Sequence, residues 1–253
     1  MIQVTCHMQQ ALSKPLRRRN RHMGDHALPG QPPVPLTLRK SARARRISLR
    51  ISQLDGRVTL TYPKGVAEAE ALDFARVKED WIRQHLQDRP TPAVVAVGRT
   101  VPVEGKDRRI VAAEGRRVLL GDTEIGVPKG AEARRLARFL KELARDRLTE
   151  ACDDYAAMLG RPYSSLTLRD TRSRWGSCSS AGGLMFSWRL ILAPSDILHY
   201  VAAHEVAHLA EMNHSPAFWA QVERLFGPCK DQRRWLRDNG AQLHQYRFDA
   251  PTS

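Results

Sequence analysis

The sequence predicts an α+β fold with an N-terminal β-rich region, and three observations carry that reading. Apolar and polar residues alternate through Ile47, Leu49 and Ile51 and again through Val58, Leu60 and Tyr62, the mark of a half-buried strand pair. A stripe of helical period runs through residues 131–159, where Leu136, Phe139, Leu140, Leu143, Ala151, Tyr155 and Met158 fall close to one face. Of nine histidines in 253 residues, His199, His204, His208 and His214 crowd into sixteen positions.

Length and a 42% hydrophobic content allow one large domain or two small ones with a real core. Lys and Arg exceed Asp and Glu by 41 to 27, and most of that +14 lies at the front of the chain. Residues 1–50 hold eleven basic residues against one acid, Asp25. Such a basic head serves either as a solvated tail or as a segment that tracks nucleic acid or an acidic surface through its summed field. Residues 1–33 also contain Pro29-Gly30-Gln31-Pro32-Pro33 and little periodic hydrophobicity, so a disordered basic leader is expected there. No run approaches the ~18 apolar residues of a membrane helix, and residues 1–24 lack a signal peptide's apolar core. A soluble, cytoplasmic protein with no membrane partner is the expectation. Four cysteines without a C-x-x-C pair form neither a disulfide framework nor a thiolate cluster, so all are expected as thiols.

From Arg45 the alternation around Asp55-Gly56 predicts a β-hairpin, and residues 67–86 predict one helix, with Val77 and Trp81 widening its apolar stripe. Short apolar runs between Pro90 and Gly130 read as small strands, which places residues 34–128 in one β-rich region with a helix. The amphipathic helix over 131–159, ended by Gly160, opens a catalytic domain spanning 129–248. A strand at Leu166–Leu168 follows, then a second hairpin from Trp175–Ser179 through Gly182-Gly183 to Leu184–Leu192.

The chemistry concentrates in His204-Glu205-Val206-Ala207-His208. Two histidines four apart on a helix share one face, with Cβ atoms ~5–6 Å apart, and can grip one ion. Glu205 then points to the side of that pair, placed to take a proton from a metal-activated water. Pro194-Ser195-Asp196 starts the helix, and Ile197, Val201, Val206, Leu209 and Met212 are expected to pack inward. A helix whose histidines merely satisfy core hydrogen bonds is the plain alternative. A catalytic zinc site needs a third protein ligand. His214 lies six residues past His208, after a bend expected at Asn213, with Ser215-Pro216 opening the next helix; Glu223 on that helix is the rival ligand. Glu211 and His199 are expected as supporting or surface groups.

Arg172, Arg174 and Arg189 flank the second hairpin, where they either bind an anionic substrate or lie as a solvated strand edge. Trp175 and Trp188 are expected to pack in the core. Cys178 has no base assignable to it and is taken as structural.

Arg174-Trp175-Gly176-Ser177-Cys178-Ser179-Ser180, Phe186-Ser187-Trp188-Arg189-Leu190, His204-Glu205-Val206-Ala207-His208 and Asn213-His214-Ser215-Pro216-Ala217-Phe218-Trp219 occur in that order. Together they resemble the YgjP-type metal-dependent hydrolases, zincin-like metallopeptidases whose core is similar to that of the SprT and WLM proteases. The resemblance covers roughly residues 38–245. It implies a zincin-like core, His204, His208 and His214 as ligands of Zn2+ or another divalent metal, and Glu205 as general base. Ser187 stands where the family has Asn. Three activities are consistent with these features. A metallopeptidase would align an extended peptide on the edge of the second hairpin. A nucleotide (phosphoanhydride) hydrolase would use the same site with the arginines. A nucleic-acid-associated protease would be recruited through the basic leader.

Overall fold

A computed structural model describes residues 26–52, 56–87 and 91–248. They fall into two compact units, one ending at Thr91 and the other beginning at Pro92.

In the first unit, strands β1 (His26–Leu28), β2 (Val34–Ser41), β3 (Ser48–Ile51) and β4 (Val58–Pro63) form a sheet in the order β1-β2-β4-β3. The expected hairpin is β3/β4, antiparallel with Leu49 opposite Leu60. The tip residue Asp55 lies outside the described residues, but Gly56 at φ 69° supplies the left-handed turn. The alternation buries Val58, Leu60 and Tyr62 on one face, against Ala71, Ala75 and Ile82 of two helices, α1 (Glu68–Val77) and α2 (Glu79–Gln87).

Two expectations change here. The leader expected through residue 33 is already ordered at His26: β1 pairs with β2, Leu28 opposite Val34, and Leu28 packs in the core, so Pro29–Pro33 is the tight connection between two strands. Residues 1–25 of that leader lie outside the described residues. The single helix is two, broken at Lys78, whose N–H is shared between Phe74 O and Ala75 O at 3.2 Å. The break re-aims the chain so that Ile82 is buried while Val77 (79% exposed) and Trp81 (41%) face outward instead of widening an apolar stripe.

In the second unit, β5 (Ala93–Val94) precedes a sheet of β6 (Thr100–Val103), β7 (Lys106–Ala113), β8 (Leu119–Leu120) and β9 (Glu124–Pro128) in the order β6-β7-β9-β8. Helix α3 (Glu132–Leu159) lays Leu136, Leu140, Ala144, Leu148, Ala151 and Cys152 into the core, an i, i+4 ladder ended by Gly160 in the left-handed region at φ 73°. Val101, Val103, Ile110, Ile125 and Val127 of the strands join the same core. This explains why the boundary falls at residues 91/92 and not at 128/129, where the sequence suggested it. Residues 92–128 bury their apolar faces with α3 and so belong with the catalytic portion.

A second sheet carries the site. Strands β10 (Ser165–Arg169), β11 (Gly176–Cys178) and β12 (Gly183–Ser187) run in the order β10-β12-β11, with β10 parallel and β11 antiparallel to β12. The second hairpin is β11/β12, but its return strand stops at Ser187. Trp188–Leu192 turns into a 3-10 helix, all five residues buried. Helices α4 (Ser195–Ala207), α5 (Pro216–Phe226) and α6 (Lys230–Asn239) follow, then a 3-10 turn over Gly240–His244 and β13 (Tyr246–Arg247), which pairs with β5. α4 is buried almost all round, as its many Ala and Val residues allow. Among the described residues no helix is long and apolar enough to cross a membrane, and no disulfide joins Cys152, Cys178 and Cys229.

Candidate metal centre and catalytic cleft

The last turn of α4 presents His204 and Glu205, and His208 caps its C-terminal end. The chain then turns over residues 209–215. Asn213 Oδ1 accepts from the Ser215 N–H, and the Ser215 hydroxyl accepts from Phe218 N–H at 3.3 Å as the N-cap of α5, with Pro216 in its first turn. That turn returns His214 to the histidine pair. One nitrogen of each of His204, His208 and His214 lies within 4.8 Å of the others. Glu223, the rival ligand, is exposed on α5 and outside this group. His199 lies elsewhere, against Tyr155.

The donor set suits a divalent cation. His208 Nδ1–H donates to Glu211 O at 2.9 Å, which fixes the tautomer and leaves Nε2 with its lone pair. Glu211 therefore supports the site through its carbonyl. The Nε2 atoms of His204 and His214 face each other at 3.1 Å, and His204 Nδ1 is buried without a partner. Burial, together with the charge of Arg233 and of the neighbouring imidazoles, pushes His204 well below the ordinary histidine range, and His208 and His214 are lowered as well. Three converging imidazoles, two buried and one half-buried, with burial favouring their neutral form, are what zinc binding requires.

Aromatic rings set the positions of these imidazoles. Phe218, fully buried, stacks on His208 at 4.4 Å and meets the edges of His204 and His214 at 4.9 and 4.8 Å. Trp219 stacks on His214, and the Arg233 guanidinium lies over the Trp219 ring, 4.4 Å from its centre.

Glu205 is 1% exposed. It packs on β11, where a Cβ added at Gly176 would stand 2.5 Å from Glu205 Cγ, so only glycine leaves room for the carboxylate. The Cys178 backbone N–H bonds to that carboxylate, while Oε1 is buried without a partner. Burial raises Glu205 to about 8, against the pull of Arg174 and of that N–H. The pleat of β11 explains the arrangement. Ser187 N–H donates to Trp175 O and Ser179 N–H to Gly183 O, so odd residues pair with β12 and the backbone groups of Gly176 and Cys178 turn to the other side. Glu205 and His208 line a cleft of about 570 Å3, whose remaining wall is the polar face of β10, β11 and β12.

A family model described as YgjP-like, metallopeptidase domain, matches residues 45–239. The chain belongs to the YgjP-like metallopeptidase family. Among solved structures, the metallopeptidase zymogen of Pyrococcus abyssi abylysin is similar, with 20% identity over 37% of this chain and 92% of that one and a TM-score of 0.33. No curated protein matches the sequence. As a member of the YgjP-like family, the protein is a metal-dependent peptidase of α+β architecture.

Within this YgjP-like domain two sequence readings need correction or completion. Arg189 is no anion site. Its Nε and Nη2 bind Asp170 at 2.6 and 3.1 Å and its Nη1 donates to Leu243 O and Tyr246 O, so the guanidinium clasps the C-terminal segment. Gly176, the Cys178 N–H and Phe218 escaped the reading by residue type, because a glycine, a backbone group and a phenylalanine carry no chemical label. The signal was Gly176 inside a run too polar and too short to need it for a turn. Trp175 and Trp188 are buried as expected, and Cys178 Sγ donates to Ser179 O at 3.4 Å.

Proposed function

We propose that the protein is a zinc peptidase in which His204, His208 and His214 hold the ion and Glu205 is the general base. The observation that carries this reading is the convergence of three imidazole nitrogens within 4.8 Å, with the buried Glu205 carboxylate next in sequence to His204 and lining the same open cleft as His208. A divalent cation held by those imidazoles would supply Lewis acidity, polarising a carbonyl and lowering the pKa of water toward ~7.

The chain's own groups do the rest. Gly176 and the Cys178 N–H fix the Glu205 carboxylate, which would accept a proton from the attacking water and return it to the departing amine. Burial raises the carboxylate to about 8, and cationic charge beside it, that of Arg174, pulls it back toward the ionised form a base must have. The outward backbone groups of Gly176 are where an extended peptide would add to the sheet edge.

The test compares zinc-loaded wild type with Glu205→Gln on an unfolded protein, a peptide library and nucleoside triphosphates, following new amino termini and released phosphate. Glu205→Gln is expected to keep its metal and lose ~10²–10⁴ in peptide turnover. His208→Ala is expected to lose the ion. Full activity in Glu205→Gln, one metal per chain in His208→Ala, or phosphate release without new amino termini would each overturn the reading.

A further inference from the structure

The cleft is chemically different at its two ends, and the register of its sheet shows how. Ser165 of β10 and Ser179, just past β11, both pair with Gly183, so these hydroxyls share one end. Arg169 lies opposite Ser187, which also bonds Trp175 O, so Arg169 and the neighbouring Arg174 share the other. Both arginines are exposed and line the cleft. Among the described residues, neither forms an ion pair, and the single carboxylate in the cleft wall is Glu205 itself. The contrast with Arg189 is instructive, since that guanidinium has its donors turned to Asp170 and two carbonyls. Arg169 and Arg174 are thus cations in the wall of a substrate cleft without an ion pair among the described residues, Arg174 acting beyond contact distance on the buried Glu205 carboxylate. The strands they flank are two spacings apart, ~10 Å, which two arginine side chains can bridge onto one carboxylate.

We infer that Arg169 and Arg174 form an anion subsite that selects peptides with an acidic side chain on one side, and one side only, of the bond cleaved. This rests on the peptidase reading and deepens it. The one-sidedness follows from geometry. Glu205 abuts Gly176, so the reacting centre stands beside the cationic end, and the opposite end offers hydroxyls and no charge.

Binding is tested apart from turnover. Full-length, zinc-loaded Glu205→Gln protein is titrated with fluorescent peptides, acetylated and amidated, in which one position at a time carries Asp or its twin Asn. Acidic peptides are expected to bind about fivefold more tightly at positions on one side of the peptide's centre, a gain set by two exposed ion pairs and lost at high salt. Arg169→Gln with Arg174→Gln in the same chain should bring the Asp-to-Asn ratio near one, and Arg169→Lys with Arg174→Lys should restore part of it. Wild-type cleavage of the same pairs should show the same one-sided ratio in kcat/KM. Equal binding of the twins, an equal gain on both sides, or a ratio unmoved by the glutamine pair would overturn the subsite. A gain only for a free terminal carboxylate, or competition by nucleoside triphosphate where acidic peptides fail, would overturn it as well. Acidic peptides that bind as expected but are never cut by wild type would leave the subsite standing and overturn the peptidase mechanism.

Discussion

At the scale of the residue, the centre is made of groups whose chemistry the sequence displays and groups whose chemistry it hides. His204, Glu205 and His208 were readable because a helix converts a spacing of four into a shared face. His214 was readable only through the spacing beyond it, since the turn that returns it depends on a cap at Ser215. Gly176 carried no chemical label of its own, because its contribution is the absence of a Cβ where Glu205 must lie. Gly176→Ala therefore makes a sharp test. The added methyl would press on the Glu205 carboxylate, at an overpacking cost of ~1–3 kcal/mol. We expect a lower melting temperature and a loss of peptide turnover exceeding what the lost stability explains, with metal content retained because the atoms nearest the added methyl belong to Glu205. Unchanged turnover in a folded Gly176→Ala protein would show that Glu205 is not held against β11 during the reaction.

At the scale of the element, the 3-10 turn over Gly240–His244 and the strand β13 are held by Arg189 and by the packing of His244 on Trp175, their rings 5.2 Å apart. Burial brings His244 down to about 4, assisted by the charges of Arg189 and Arg172 and opposed by Asp170. A histidine with a depressed pKa binds its proton more readily in the unfolded chain, so folding loses stability as pH falls from about 6.5 toward 4. The full effect is on the order of 2–3 kcal/mol. The melting temperature is expected to be flat above pH 7 and to decline through that window, and His244→Gln should flatten the decline. An identical decline in the variant would assign it to other groups. Sequence periodicity found the hairpins and α3, whose apolar spacing is a local property. It missed the break at Lys78 and the 3-10 turn after Ser187, because each is chosen by what must be buried next to it, Ile82 in one case and Trp188–Leu192 in the other. It also misjudged Arg189, since the two carbonyls that hold it lie more than fifty residues away in sequence.

At the scale of the whole molecule, two separate cores divide the chain at residues 91/92, and the imidazoles, the carboxylate and the cleft all belong to the later one. A polypeptide of residues 92–253 is therefore expected to fold cooperatively and bind one zinc per chain without the earlier sheet. A fragment that stays unfolded at room temperature in circular dichroism would show that the first unit is needed for the second to form. The sequence placed this division at residue 128 because short strands with Gly and charged residues between them resemble the strands before residue 63. Only tertiary contact tells which core a two- or four-residue strand serves. The contact between Glu205 and β11 has one more consequence. The carboxylate reaches from the most deeply buried helix to a three-residue strand at the sheet's margin, so the proposed general base is also a tie between the best-buried part of the unit and one of its thinnest. Any displacement of that strand would shift the carboxylate that packs on it. Agents that soften the margin of the sheet should silence the enzyme while α4 is still intact.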